Sequence, residues 1–226
     1  LTAAGRSLYR LSFEDCRYEK LVEVDGMDPS SLLNDGKADR GGRFLFGSKH
    51  DQETEAKGAM FFLNGGLPRV LREPFTVFNG PAFNRAGDRM YFADSPTGRI
   101  FCAAYRQATS ELGEPEVFAR VPESAGYPDG MTVDAEDCLW SAHWDGYRLT
   151  RYRPDGKVDR VVEVPVCRPT SICFGGADLR TIFVTSAAGD DRAVSSGGDG
   201  IDGGDVLSLR SSVPGLPEAF VNLGDL

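Results

Sequence analysis

The chain has 226 residues, 41% hydrophobic and 26% charged, a composition that buries a sizeable core and excludes disorder and collagen-like structure. Lys and Arg total 25 against 34 Asp and Glu, and the formal net charge of -9 argues against nucleic acid or anionic membrane as a partner. No apolar run approaches the ~20 residues of a membrane-spanning helix, and the first ten residues do not resemble a signal peptide, so the expected location is the cytoplasm. The five cysteines, Cys16, Cys102, Cys138, Cys167 and Cys173, are odd in number and show no C-x-x-C spacing. They read as single buried thiols of a reducing compartment.

Abundant Gly and Pro with almost no helical periodicity predict an all-β chain with many turns. Ser7-Leu8-Tyr9-Arg10-Leu11 and Lys20-Leu21-Val22-Glu23 form the first two strands. A full unit then opens on Asn34-Asp35-Gly36, turns at Asp39-Arg40-Gly41-Gly42, and continues through strands at 43–46, 59–63 and 69–71. The next opens on Asn79-Gly80-Pro81, turns at 84–87, and carries strands at 90–93, 99–102 and 116–118. A third opens on Pro128-Asp129-Gly130, turns at 134–137, and carries strands at 138–141, 148–152 and 161–164. The last opens on Pro169-Thr170-Ser171, turns at 175–178, and carries strands at 181–184, 206–209 and 219–221.

From Asn34 to Asn79, Asp129 and Thr170 the steps are 45, 50 and 41 residues, close to the ~40–50 residue period of propeller blades. Four strands per unit at that period describe blades packed face to face around a central channel. The two leading strands match only the third and fourth strands of a unit. The chain is therefore read as one β-propeller domain, residues 1–226, holding about four and a half blades. The loop entering each innermost strand of a propeller faces the channel mouth, so the four anchors should converge there. Asn34, Asn79 and Asp129 would then bring amide and carboxylate oxygens to one pocket, the ligand set of a hard divalent cation. The competing reading of each dipeptide is an ordinary turn.

Three segments, Phe78-Asn79-Gly80-Pro81-Ala82-Phe83 with Tyr91-Phe92-Ala93-Asp94-Ser95-Pro96-Thr97-Gly98, Pro128-Asp129-Gly130 with Leu139-Trp140-Ser141-Ala142-His143-Trp144, and Arg168-Pro169-Thr170-Ser171 with Phe174-Gly175-Gly176, together resemble the regucalcin/gluconolactonase family of sugar lactonases. Asn34-Asp35-Gly36-Lys37 fits the same pattern. The resemblance implies a six-bladed propeller that hydrolyses aldonolactones with one divalent metal, calcium first, with zinc, manganese, magnesium or iron(II) as alternatives. It implies Asn79 and Asp129 as metal ligands and Asn34 as a contact to substrate or to a metal-bound water. The family's third ligand is a glutamate in a Gly-Glu-Gly-Pro motif, which this sequence lacks. That motif would fall in a missing blade and a half of about 65–70 residues, and the third ligand is expected from outside the chain as given. Where the family carries an arginine that reaches sugar hydroxyls, this chain has Leu32. Either the substrate differs, or Lys49, His50 or Arg85 supplies the contact.

Opening a lactone needs a Lewis acid for the carbonyl and a base for water, and Asp129 is the expected base. The alternative keeps Asp129 as a ligand alone. His50 lies in the polar loop 50–55, where the resemblance implies substrate-facing groups, so it is taken as substrate-binding. His143 reads as structural. Gly197-Gly198-Asp199-Gly200-Ile201-Asp202 matches a calcium-binding β-helix repeat once, and reads as part of a loop from 187 to 205. No G-x-S-x-G elbow supports a serine nucleophile. The leading function is a metal-dependent hydrolase of a small sugar lactone such as gluconolactone or a pentonolactone, with oligomeric state open. The alternatives are a non-catalytic metal- or protein-binding propeller, or an esterase or organophosphate hydrolase of similar architecture.

Overall fold

A computed structural model describes residues 1–64, 66–188 and 202–223. Among them, nineteen strands form five antiparallel sheets. The first holds β1 (Thr2–Ala4), β2 (Ser7–Leu11) and β3 (Tyr18–Glu23). The second holds β4 (Ser31–Ala38), β5 (Phe44–His50), β6 (Gly58–Asn64) and β7 (Leu67–Phe75). In the third, β8 (Phe78–Phe83), β9 (Arg89–Asp94) and β10 (Arg99–Arg106) pair in order, and both β11 (Glu111–Leu112) and β12 (Glu116–Arg120) pair with β10. The fourth runs β13 (Tyr127–Val133), β14 (Leu139–Trp144), β15 (Arg148–Tyr152), β16 (Val158–Glu163). The fifth runs β17 (Pro169–Gly175), β18 (Thr181–Ser186), β19 (Val206–Arg210). The fold is an all-β propeller, and β4, β8, β13 and β17 pack on one another in turn as its innermost strands. No helix among the described residues is long and apolar enough to cross a membrane.

The turns after the inner strands share one chemical device. Asp39 Oδ1 accepts the backbone N–H groups of Gly41 and Arg43, Asn84 Oδ1 those of Asp88 and Arg89, and Asp134 Oδ1 those of Glu136 and Cys138. An Asx side chain that satisfies the turn's own donors fixes where the next strand begins.

Each pair of neighbouring sheets encloses its own apolar cluster. Leu8, Val24, Phe46 and Phe61 join the first two sheets, and Leu45, Met60, Phe78 and Phe92 join the second and third. Tyr91, Ile100, Met131 and Leu139 join the third and fourth, and Trp140, Leu149, Ile172 and Ile182 the fourth and fifth. Full burial of such side chains contributes about 1.5–3 kcal/mol each, so the face-to-face packing holds the inner strands in place.

Three expectations need correction. The leading half-blade has three strands, because β1 pairs with β2 through Thr2, Ala3 and Ala4; two alanines carry little strand propensity and leave no pattern to read. Residues 219–221 form no strand. Their segment is bound elsewhere: Glu218 accepts from Lys37 and Thr132, Pro217 O accepts from Arg40, and Asn222 N donates to Gly42 O at 2.6 Å. These contacts tie the segment to the second and fourth sheets instead of the outer edge of β19. All five cysteines are free thiols, but only Cys138 is buried; Cys16 and Cys173 are exposed. The glycine-rich match at 197–202 lies outside the described residues except for Asp202.

His143 is buried in β14, with Nδ1 on Ala125 O at 2.9 Å and Nε2 3.5 Å from the Tyr152 hydroxyl. Burial pushes its pKa down to about 4. An unfolded imidazole titrates near 6.5, so the neutral form's contribution is complete above that pH and is lost as pH falls toward about 4. The loss is about 3 kcal/mol. Denaturant titrations at pH 7 and pH 4.5 should show the wild type losing more stability than His143→Gln; equal losses would remove the histidine from the acid response.

Candidate active site

Sequence reading placed the anchors in loops entering the inner strands. The structure places them inside those strands, each at a break in register. The breaks fall between Leu33 and Gly36 in β4, Asn79 and Ala82 in β8, Pro128 and Met131 in β13, and Pro169 and Ser171 in β17. A bulge puts two residues against one on the partner strand and re-aims a side chain, so the same irregularity in successive blades swings successive anchors toward one point. Glycine follows from the geometry. Gly80 has a φ of 88°, and a Cβ on Gly130 would collide with Ser171 Oγ and Thr170 O.

Asn34, Asn79 and Asp129 line one cavity of about 360 Å³ with Lys49, Glu53, Val77, Ser95, Pro96, Tyr127 and Trp144. A hydrogen-bonded chain spans three blades. Asn34 Nδ2 donates to Asn79 Oδ1 at 2.9 Å and to Phe78 O at 2.8 Å. Asn79 Nδ2 donates to Ser95 Oγ at 2.7 Å, and the Ser95 hydroxyl donates to Pro128 O at 2.6 Å, beside Asp129. Linked bonds that run from the exposed Asn34 to the buried Asn79 and Ser95 fix each amide's orientation.

Asp129 Oδ1 accepts from Gly130 N at 2.9 Å. Burial pushes its carboxyl well above the usual carboxylate range, and the Asp35 charge adds to the effect. Asp35 repeats the arrangement in β4: its Oδ1 accepts from Gly36 N at 2.7 Å, its Oδ2 from Gly80 N at 3.0 Å, and burial raises its pKa as well. Asp129 and the side-chain amides of Asn34 and Asn79 bring oxygens of the hard type that divalent cations take to the cavity wall, whereas Asp35 does not line the cavity. The described residues contain no group of three His, Cys, Asp or Glu placed to hold a metal, so the cation-binding candidates are the Asn–Asp set.

His50 is buried rather than part of the cavity wall. Its Nδ1 accepts from Thr54 N and Glu55 N, both at 3.2 Å, and so shapes the loop that delivers Glu53 to the cavity. Thr170, the fourth anchor, pairs its hydroxyl with Thr185 at 2.7 Å and does not line the cavity. Sequence reasoning missed Asp35, although the Asp-Gly dipeptide it shares with Asp129-Gly130 was the available signal. It also missed Ser95, Tyr127 and Trp144; Trp144 carries the Arg168 guanidinium 5.0 Å above its ring.

Residues 1–188 match the SMP-30/Gluconolactonase/LRE-like region. The chain belongs to this family. Within it, the chain is 33% identical over 196 residues to the pentonolactonase XacC of Haloferax volcanii, covering 85% of this chain and 67% of that one. It is 36% identical over 184 residues to the L-arabinolactonase of Azospirillum brasilense, covering 78% of this chain and 60% of that one. Among solved structures, a calcium-binding protein, regucalcin, from Agrobacterium tumefaciens superposes with a TM-score of 0.88 at 25% identity, over 98% of this chain and 75% of that one. The family resemblance drawn from the anchor motifs is thus confirmed.

Proposed function

We propose that this family member hydrolyses a sugar lactone in the cavity between β4, β8 and β13, within a six-bladed ring to which the chain contributes five sheets. The observation that carries the proposal is the convergence of Asn34, Asn79 and Asp129 through the Asn34–Asn79–Ser95–Pro128 chain of hydrogen bonds. The printed activities of the pentonolactonase and arabinolactonase relatives support the substrate class.

In this proposal Asn79 and Asp129 would hold a divalent cation, calcium first, and the family's glutamate would complete the set. Bound there, it would supply a Lewis acid for the lactone carbonyl. The Asp129 carboxylate takes a proton from the water whose oxygen bonds to the carbonyl carbon, the ring C–O bond breaks, and Asp129 returns that proton to the departing ring oxygen, leaving an open-chain hydroxy acid. Asn34 orients the substrate, His50 fixes the loop over it, and Trp144 and Tyr127 provide faces for the ring's C–H groups.

A pH-indicator assay on gluconolactone and pentonolactones tests this. The expected result is turnover that a chelator abolishes, that calcium or manganese restores, and that Asn79→Ala loses by at least tenfold. An Asn79→Ala variant equal to wild type would remove the assigned site. No turnover with any cation would favour a non-catalytic propeller.

A further inference from the structure

The loop that carries Glu53 to the cavity is built around one imidazole. β5 ends at His50, which is buried, while residues 51–57 that follow it are exposed. His50 Nδ1 meets the backbone N–H groups of Thr54 and Glu55, both at 3.2 Å, and the Thr54 hydroxyl at 3.3 Å. A backbone N–H only donates, so Nδ1 is the bare acceptor and the proton of the neutral ring sits on Nε2. Both ends of the loop are fastened separately. His50 N donates to Thr76 O at 2.9 Å, Asp51 N to Ser30 O at 2.8 Å, and Ser31 Oγ to Lys57 O at 2.9 Å. Between those fixed ends the ring is the post around which the chain turns.

Glu53 is the residue of this loop that lines the cavity, with its Oε1 2.5 Å from the Nζ of Lys49, another lining residue. Its φ of 56° lies in the left-handed region, which a glutamate adopts at a cost. The bonds on either side hold it there: its own N–H on His50 O at 2.9 Å, and the two donors on Nδ1 directly after it. A proton on Nδ1 turns that acceptor into a donor aimed at two donors, so both bonds are lost and Glu53 can relax out of the wall. The charges around the ring are Glu55, with Oε1 3.9 Å from Nε2, and Lys57, paired to Glu55 at 3.1 Å. On the 28–30 turn Asp28 lies within electrostatic reach and is held by Ser30. Asp51 binds Gln52, Asp94 is committed to the N–H groups of Thr76 and Val77, and β4 places the uncharged Ser31 opposite His50.

We propose that His50 is a positioning residue and the pH-sensitive pin of the cavity's rim: its neutral ring holds Glu53 in the wall, and protonation releases the loop at 51–57 and widens the mouth. This goes beyond the lactonase reading, because the pin acts on whatever enters the cavity. Amide exchange of residues 51–57 tests it without a substrate. Corrected for the intrinsic effect of pH, exchange at Thr54 and Glu55 is expected to be about tenfold faster at pH 5.5 than at pH 8, with β5 and β6 unchanged. The other of the two histidines, His143, is silent in this interval because burial pushes its pKa down to about 4. His50→Asn sets an oxygen that does not titrate near the place of Nδ1, and should keep the loop protected at both pH values. His50→Ala should exchange fast at both. Where a lactone is turned over, KM should rise more in wild type than in His50→Asn over the same interval. Wild type that shows the exchange transition but opens no lactone would refute the lactonase and keep the pin. The pin falls if wild type shows no transition, if His50→Asn retains it, if His50→Ala is as protected as wild type at pH 8, or if the faster exchange spreads through β5 and β6.

Discussion

Replacing Asp129 with asparagine is expected to lower kcat/KM for an aldonolactone about 10³-fold while the fold is retained. The substitution conserves volume and keeps an Oδ1 acceptor for the 2.9 Å bond from Gly130 N, so the bulge in β13 has no reason to relax. It removes the proton acceptor and one anionic ligand together. It also removes a buried carboxyl that burial and Asp35 already hold well above the usual range. The cation-free variant should therefore unfold at or above the wild-type temperature near neutral pH, where ionising Asp129 costs the wild type stability, and this distinguishes a functional loss from a damaged fold. Addition of calcium should raise the wild-type midpoint and not that of Asp129→Asn. Retention of both turnover and the calcium response in the variant would take Asp129 out of the site.

Where physical signals are local, the sequence carries them well. Alternating apolar runs marked most of the strands, and the Asx turns at Asp39, Asn84 and Asp134 marked the starts of second strands because the same side-chain oxygen recurs with the same partners. Asn34, Asn79 and Asp129 were legible as a set because recurrence at a blade period lifts them above ordinary turn residues. What was not legible depends on contacts between blades. Ser95 joins Asn79 to Pro128 across two sheets, and nothing in Asp94-Ser95-Pro96 announces a partner 33 residues away. The burial of His50 arises from backbone donors at 54 and 55, which a polar loop sequence does not distinguish from solvation.

The largest effect on stability is expected at Asp134, at the opposite end of β13 from the anchor. The carboxylate is fully buried and accepts from Trp140 Nε1 and Arg151 Nε, both at 2.8 Å, besides capping the turn through Glu136 N and Cys138 N. Arg151, itself 4% exposed, also binds Glu136 at 2.7 Å and Asp159 at 2.8 Å. Asp134→Ala strands the indole N–H, two backbone donors and part of a buried guanidinium at once. Loss of one partner of a buried ion pair costs about 3–5 kcal/mol, and in a chain of this size the thermal midpoint should fall by roughly 10 °C. Most of that penalty belongs to the stranded charge, so Asp134→Ala combined with Arg151→Met should lose clearly less than the two single losses added together. Because the cavity is built at the bulges and not at this turn, the folded fraction of Asp134→Ala should keep its kcat at low temperature. Calorimetry on the single and double variants decides the first point: additive losses would show that Asp134 acts through its turn alone, with the Arg151 pair contributing nothing.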